Sequence, residues 1–240
     1  MNAQISGWLA QTLATDSPVL PAAGAMQVWL HLGWSVVLAW LGVSLSGGWL
    51  AGRRFGRQVS WLFGLGFAVW AWVPGPAGAA YWFGLAFQAP SVAGAVLCGL
   101  MLTRPVPDSA GTRRLMSSSG AVAFTGSQVV WLALMGVVLG WALLLDSFAV
   151  LPLQLYAWGF SPAALAGVVL VALLPWAVSR PVSGTGARAA VWVVPLAALV
   201  FVVWHLPTGN VWDAVLDPWA WLVLHGWLFR RGWIHYKNNS

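Results

Sequence analysis

The sequence predicts an all-α integral membrane protein, a bundle of about seven transmembrane helices with its N-terminus outside and its C-terminus in the cytoplasm. Three observations predict this class. Of the 240 residues, 60% are hydrophobic and 7% are charged, whereas soluble domains carry about 25% charged residues. Apolar segments of nearly membrane-spanning length follow one another along the chain. The basic residues fall on alternate connections between these segments. This composition excludes a soluble single domain and a disordered chain.

Seven apolar segments are expected to be helices, because they are long and lack the period-two alternation of a membrane barrel strand. The segments are residues 25–45, 59–73, 79–103, 121–145, 162–178, 189–206 and 211–229. The second is short, and the seventh contains two aspartates near its start. There, Asp217 followed by Pro218 is typical of a helix N-terminus, with a carboxylate at the N-cap and proline at the first helical position.

The chain divides into three parts around these segments. Residues 1–24 form a predicted outer interfacial segment, because Ile5, Trp8, Leu9 and Leu13 fall at helical spacing. A disordered tail is the alternative, and a signal peptide is not expected since a basic start is absent. Residues 25–233 form the polytopic helical membrane domain, and residues 234–240 a cytoplasmic tail. No separate extramembrane domain is expected.

The basic residues set the orientation. All 11 lie on the connections one–two, three–four and five–six or after segment seven: Arg53, Arg54, Arg57, Arg104, Arg113, Arg114, Arg180, Arg188, Arg230, Arg231 and Lys237. The other connections hold no Lys or Arg. Asp146, Asp213 and Asp217 are assigned to their side together with Asp16 of the N-terminal segment, and only Asp108 lies on the basic side. The positive-inside rule therefore places the basic side in the cytoplasm. A multi-pass protein of the bacterial inner (plasma) membrane is the predicted localisation.

Several functions are disfavoured by what the sequence lacks. The chain has no Glu and no Lys or Arg inside a segment, which argues against an ion-driven carrier. Hydrolytic and nucleotide-binding motifs are missing, so an enzyme is not expected. The scattered basic residues form no continuous stripe, which argues against nucleic acid as a partner. The single Cys98 cannot form an intramolecular disulfide.

Three histidines are the candidate cofactor or metal ligands. His31, His205 and His225 are all predicted in the outer half of the membrane, and imidazoles can hold haem iron or copper or bind a quinone carbonyl. Trp204 and Trp212 flank His205 as further candidate cofactor-binding residues. The alternative is that each histidine donates a hydrogen bond to a backbone carbonyl or to interfacial water.

Tryptophan and proline form the other notable pattern. The chain has 20 tryptophans, which favour membrane interfaces, while those deeper in a segment need hydrogen-bond partners. Pro90, Pro175 and Pro195 interrupt three segments, which predicts kinks or exposed carbonyls. Residues 87–94, FQAPSVAG, resemble residues 160–167, FSPAALAG, and both are predicted to open or break a helix.

Two short resemblances accompany these residues. Trp204-His205-Leu206-Pro207, followed by His225, resembles a segment of copper-linked cytochrome oxidase assembly factors. Trp212-Asp213 with the later tryptophans is similar to the tryptophan-rich outer loop of haem-handling cytochrome c biogenesis proteins. The repeated Trp-x-Trp-Asp core of the haem family and the additional histidines of the copper family are absent, so membership of neither is predicted. Both resemblances imply cofactor handling near the outer surface.

Three functions are compatible with the sequence. The first is a non-enzymatic accessory, scaffold or assembly subunit of a membrane complex, with the lipid bilayer and other membrane proteins as partners. The second is a haem-, copper- or quinone-handling protein of an electron-transfer chain, using the outer-half histidines. The third is a permease for a neutral or apolar solute, working through the proline-broken segments.

Overall fold

The computed structural model of the chain describes residues 18–50, 55–103, 127–150, 154–178 and 192–239. Within these ranges 81% of the residues are helical and none is in a strand. The predicted all-α class is therefore confirmed for the described part of the chain. Most of the predicted interfacial segment, residues 1–24, lies outside the described residues.

Ten α-helices occur in the described ranges, and we number them in chain order. They are α1 Ala23–Trp49, α2 Gly56–Trp70, α3 Ala79–Phe87, α4 Val92–Leu102, α5 Ser127–Ser147, α6 Leu155–Trp158, α7 Pro162–Val178, α8 Val193–Trp204, α9 Val211–Val215 and α10 Pro218–Asn239. A 3₁₀ turn, Gly75–Ala77, precedes α3. Each predicted segment overlaps at least one of these helices.

Two predicted segments differ from the structure by being broken. The third consists of α3 and α4, separated by residues 88–91. The seventh consists of the short α9 and the long α10, separated by residues 216–217. Helix α10 also continues to Asn239, through most of the segment predicted as a tail.

Two helices of the described part are long and apolar enough to cross a membrane by themselves, Ala23–Trp49 and Val129–Ser147. Three shorter helices are also apolar: Val92–Leu102, Pro162–Leu174 and Val193–Trp204. Length and composition thus identify two membrane-spanning candidates, and a count of seven spans is not confirmed.

The helices pack in two groups with separate cores. In the first, α1 packs along α2 and also contacts α3 and α4. Its core is formed by Trp34, Val37 and Leu38 against the buried Ala79 and Ala80.

The second group joins α4, α7, α8 and α9. Its core contains Val92, Val168, Phe201 and Val211. Helix α10 packs along α5.

Close backbone approach explains the tight α1–α2 pair. A Cβ atom on Gly42 would stand 3.1 Å from the Cα of Gly64 and 2.8 Å from the ring of Phe67. Small residues let two helices approach until their backbones touch, which is the usual way that membrane helices associate. The α1–α2 pair therefore needs glycine at both positions.

Large apolar side chains are exposed along most of the helices. Leu62 on α2 is 66% exposed, Leu170 on α7 is 65% exposed and Phe229 on α10 is 75% exposed. Further exposed residues on other helices include Leu45, Val138, Leu199 and Val203. A protein surrounded by water rarely exposes apolar surface this extensive.

Candidate functional site

The break between α3 and α4 lies where two tryptophans of α1 and the start of α10 meet. Gln88 ends α3 with a φ of +61°, and Pro90 prevents the helix from continuing. The carbonyls of the break have partners on α1. Trp34 Nε1 donates to the Gln88 carbonyl at 2.9 Å and Trp29 Nε1 donates to the Pro90 carbonyl at 2.9 Å.

Asp217 binds the other side of the same break. Its Oδ2 accepts a hydrogen bond from the backbone N–H of Ser91 at 2.6 Å. Its Oδ1 accepts from the backbone N–H of Ala220 at 2.6 Å, in the first turn of α10. The prediction that Asp217 and Pro218 start a helix is confirmed. The bond to Ser91 is an additional role that joins the two broken segments.

The start of α4 is capped by its own serine. Ser91 Oγ accepts from the backbone N–H of Gly94 at 3.0 Å. In the similar stretch at residues 160–167, Ser161 Oγ accepts from the N–H of Ala164 at 3.2 Å. Both stretches thus begin a helix with a serine N-cap, which confirms that each opens a helix.

Two helix N-termini face the Asp217 carboxylate. An α-helix N-terminus carries roughly half a positive elementary charge. The starts of α4 and α10 together therefore supply about one positive charge, which offsets the single negative charge of the carboxylate. The result is a polar junction that is close to neutral, in which the Gln88 and Pro90 carbonyls and the Ser91 N–H have side-chain partners.

A cavity of about 240 Å³ adjoins this junction. It lies between α1, α4, α5, the start of α8 and α10. Its walls are apolar and aromatic, with Trp40, Phe87 and Trp219 among the lining residues. Among the described residues that line it, Asp217 is the one charged side chain.

A second polar cluster connects α6 with the loop before α9. Asn210 is fully buried. Its Nδ2 donates to the Tyr156 carbonyl at 2.9 Å, and its Oδ1 accepts from the Trp212 N–H at 3.0 Å. Trp212 Nε1 donates to the Leu155 carbonyl at 2.8 Å. These bonds hold the connection between α8 and α9 against α6.

Two carboxylates complete the cluster. Asp213 Oδ2 accepts from the Tyr156 hydroxyl at 2.8 Å and from the Thr208 hydroxyl at 2.5 Å. Asp146 Oδ2 accepts from the Tyr156 N–H at 2.8 Å. Burial and, secondarily, the nearby Asp213 carboxylate raise the pKa of Tyr156 above its usual range. The neutral phenol is therefore the form that the folded protein favours.

His31 and His205 lie in different surroundings. His31 Nδ1 is 2.9 Å from the Gln27 carbonyl, and its ring lies 5.4 Å from the ring of Trp72. Because a carbonyl only accepts, Nδ1 is the donor in this bond. His205 follows the last residue of α8 in a left-handed conformation, with its ring 5.6 Å from the ring of Phe201. The predicted position of His205 at the end of the sixth segment is confirmed.

His225 is bound through both ring nitrogens. Its Nδ1 is 2.9 Å from the Trp221 carbonyl, and its Nε2 is 3.1 Å from Trp141 Nε1. Because the indole N–H only donates, Nε2 is the acceptor and Nδ1 carries the proton. The imidazole thus connects α10 to α5 as a neutral ring, while Trp221 Nε1 donates to the Val137 carbonyl at 3.2 Å.

The two candidate tryptophans also differ. Trp204 is 56% exposed, and Trp212 is 8% exposed in the second core. Trp212 belongs to the Asn210 cluster, and Trp204 lies on the outer surface of α8.

Within the described ranges, no three His, Cys, Asp or Glu side chains come together in a group that could hold a metal ion. The haem, copper or quinone site at these residues stays a prediction.

The structure shows one contact between distant segments that the sequence did not predict. The bond from Ser91 to Asp217 joins residues that are 126 positions apart. The sequence signals were Pro90 in an apolar segment and an aspartate next to proline, and each was interpreted locally.

Compared with known proteins, the chain matches no family model, no curated protein and no solved structure.

Proposed function

We propose that this chain is a multi-pass protein of the bacterial inner membrane, with about seven transmembrane helices, its N-terminus outside and its C-terminus in the cytoplasm. Within that membrane it acts as a non-enzymatic accessory, scaffold or assembly subunit of a larger complex. Its partners are the lipid bilayer and the apolar helices of other membrane proteins. No substrate is converted in this proposal.

The membrane setting is supported by the exposed apolar surface and the charge distribution together. Residues such as Leu62, Leu170 and Phe229 project from different helices, and hydrocarbon is the solvent that such faces need. The broken pair α3 and α4 covers residues 79–102. The two helices contain 9 and 11 residues, and at 1.5 Å per residue their combined rise is roughly 30 Å, similar to a bilayer core of about 30 Å.

One observation carries the choice of an accessory subunit over a permease. In carriers with broken helices, the freed backbone groups contact the substrate. Here the Gln88 and Pro90 carbonyls bind Trp34 and Trp29, and the Ser91 N–H binds Asp217. The break is therefore closed by the protein's own side chains, which favours a structural role for it.

The cofactor-handling alternative depends on the histidines. His225 Nε2, one of the two atoms that could bind a metal, accepts from Trp141, so ligation there would have to displace the indole. The absorbance spectrum and metal content of the purified protein test this alternative directly. A haem band or about one equivalent of copper, lost in His225→Ala, would favour it over the accessory role.

The accessory role is tested by cross-linking from individual helix faces. A photoreactive amino acid is placed at one exposed position at a time, Leu62, Val138 or Leu199, and at the buried Ala197 as the matched control. We expect one exposed face to yield a single protein adduct in native membranes, with none from Ala197. Adducts with lipid alone from every face, together with solute uptake by reconstituted vesicles, would contradict the proposal.

A further inference from the structure

Small residues from three helices line part of the cavity beside Asp217. Ala93 and Gly94 of α4, Ala133 and Gly136 of α5, and Ala220 of α10 are among its lining residues. Larger side chains, including Trp40 and Trp227, complete the wall. Protein interiors seldom leave a void of this size, since packing normally excludes voids larger than a water molecule.

The dimensions of the cavity select a narrow occupant. An apolar cavity of about 150 Å³ accepts a benzene molecule, so about 25 Å³ of cavity volume is needed for each carbon atom. At that density the cavity of about 240 Å³ holds about ten carbon atoms. An α-helix about 10 Å wide fills roughly 120 Å³ per residue, so a partner helix cannot enter. A single unbranched chain or a small ring can.

The charge of the wall selects a neutral occupant. Asp217 has both oxygens bound to backbone N–H groups, and two helix N-termini offset its charge. No uncompensated negative charge is therefore left to recognise a cation. The remaining lining side chains are almost all apolar, so a polar headgroup or water would lose hydrogen bonds on entering.

We propose that this cavity binds a hydrocarbon segment of about ten carbons from the acyl chain of a membrane lipid. The inference rests on the proposed membrane function, because the bilayer supplies the chain. The bound chain fills the space between α4, α5 and α10, which the side chains of the described residues leave empty. Its headgroup stays outside the cavity, so phospholipids with different headgroups bind alike.

The test uses the full-length protein in vesicles of a phospholipid that carries a diazirine near the end of one acyl chain. After irradiation, adducts are mapped to peptides. We expect adducts at the cavity wall, around Leu97 and Ala133, in addition to those on outward-facing residues such as Leu62.

Replacing Ala133 with leucine adds a branched side chain inside the cavity. Adducts at Leu97 should then fall about tenfold, equivalent to about 1.4 kcal/mol.

The control variant is Ala166→Leu, which makes the same change at an exposed position of α7 outside the cavity. It should leave the adducts at Leu97 unchanged. Because Ala133→Leu could impair folding, Ala220→Leu fills the cavity from the opposite wall. The distribution of adducts in the unmodified protein is a measurement that needs no variant.

Each outcome is decisive. Adducts on Leu62 and other outward residues but none at the cavity wall would overturn this inference and leave the membrane proposal intact. Absence of lipid adducts at all positions would overturn the membrane proposal itself. A quinone that carries a diazirine is the competing probe. If it labels the cavity and displaces the phospholipid label at equal concentration, the occupant is a ring and the acyl-chain inference is wrong.

Discussion

Asp217 shows how one side chain can serve two helices. As an N-cap it would need only the Ala220 N–H, but its second oxygen also binds the Ser91 N–H at the break between α3 and α4. In hydrocarbon an unpaired N–H costs several kcal/mol, so the second bond contributes more than a cap alone. The carboxylate is thus explained by structure, without a catalytic role.

Replacing Asp217 with alanine should lower the free energy of unfolding by about 2–4 kcal/mol, as the sum of a lost cap and an unpaired N–H. Asp217→Asn keeps one side-chain oxygen and should cost less. Thermal unfolding of both variants in detergent, followed by circular dichroism, shows which variant loses more stability. An alanine variant as stable as the unmodified protein would contradict the bridging role.

Tyr156 provides a prediction about pH. Its pKa is raised from the ordinary value of about 10 by burial and by Asp213, so the folded state favours the neutral phenol. This contribution to stability is complete below about pH 10 and is lost as the pH rises further. Replacing Tyr156 with phenylalanine removes one step of phenolate absorbance from the pH titration. We expect the removed step to occur above pH 10.

The titration has an internal reference, because the chain contains 3 tyrosines. The steps from Tyr81 and Tyr236 remain in the variant, and subtraction isolates that of Tyr156. A difference step centred at or below pH 10 would show that the phenol is not protected in the folded protein.

At the scale of the helices, the sequence predicted where apolar segments lie better than how they are interrupted. Segment five, residues 162–178, coincides with α7, and segment one lies within α1. The sequence predicted a break or kink at Pro90 and a helix start at Asp217 and Pro218, and the structure has breaks at residues 88–91 and 216–217. The contacts that hold these breaks were not predicted. These contacts depend on partners far away in sequence, such as Trp34 and Asp217, which no local pattern identifies.

The contact between α5 and α10 depends on glycine at position 140. A Cβ atom there would collide with the indole ring of Trp221. Gly140→Ala should therefore displace the indole and break its bond to the Val137 carbonyl. Overpacking of this kind typically costs about 1–3 kcal/mol. A lower unfolding temperature and altered tryptophan fluorescence are the expected signs.

Gly226 on α10 is the matched control, because a Cβ atom at that position meets nothing within 4 Å. Gly226→Ala should be neutral or slightly stabilising, since alanine favours helix more than glycine does. Equal effects of the two substitutions would show that helix propensity, and not the Trp221 contact, governs this pair.

At the scale of the whole molecule, the all-helical class followed from composition together with the length of the apolar segments and their lack of period-two alternation, and the structure agrees with it in the described ranges. The candidate site was less predictable. The sequence directed attention to His31, His205 and His225, which are recognisable as ligand types. The structure instead concentrates polar contacts around Asp217 and Asn210, whose importance depends on tertiary packing.

The orientation gives a prediction for the entire chain. In the proposed topology, and in a Cys98→Ala background, single cysteines replacing Thr112 and Ser183 would lie on the cytoplasmic side, and those replacing Val150 and Thr208 on the opposite side. A maleimide that cannot cross membranes should label only the second pair in intact cells and all four after lysis. Labelling of Thr112→Cys and Ser183→Cys from opposite sides would overturn the seven-span topology.

The bridge from Asp217 to Ser91 also orders events during synthesis. When residues 88–91 leave the ribosome, the carboxylate that binds the Ser91 N–H is 126 positions behind them. Until Asp217 at the start of α10 has been synthesised, the Ser91 N–H of the nascent chain therefore lacks its carboxylate partner. A chain truncated before Asp217 would lack this bond permanently, so the junction between α3 and α4 can be completed only after synthesis has reached the start of α10.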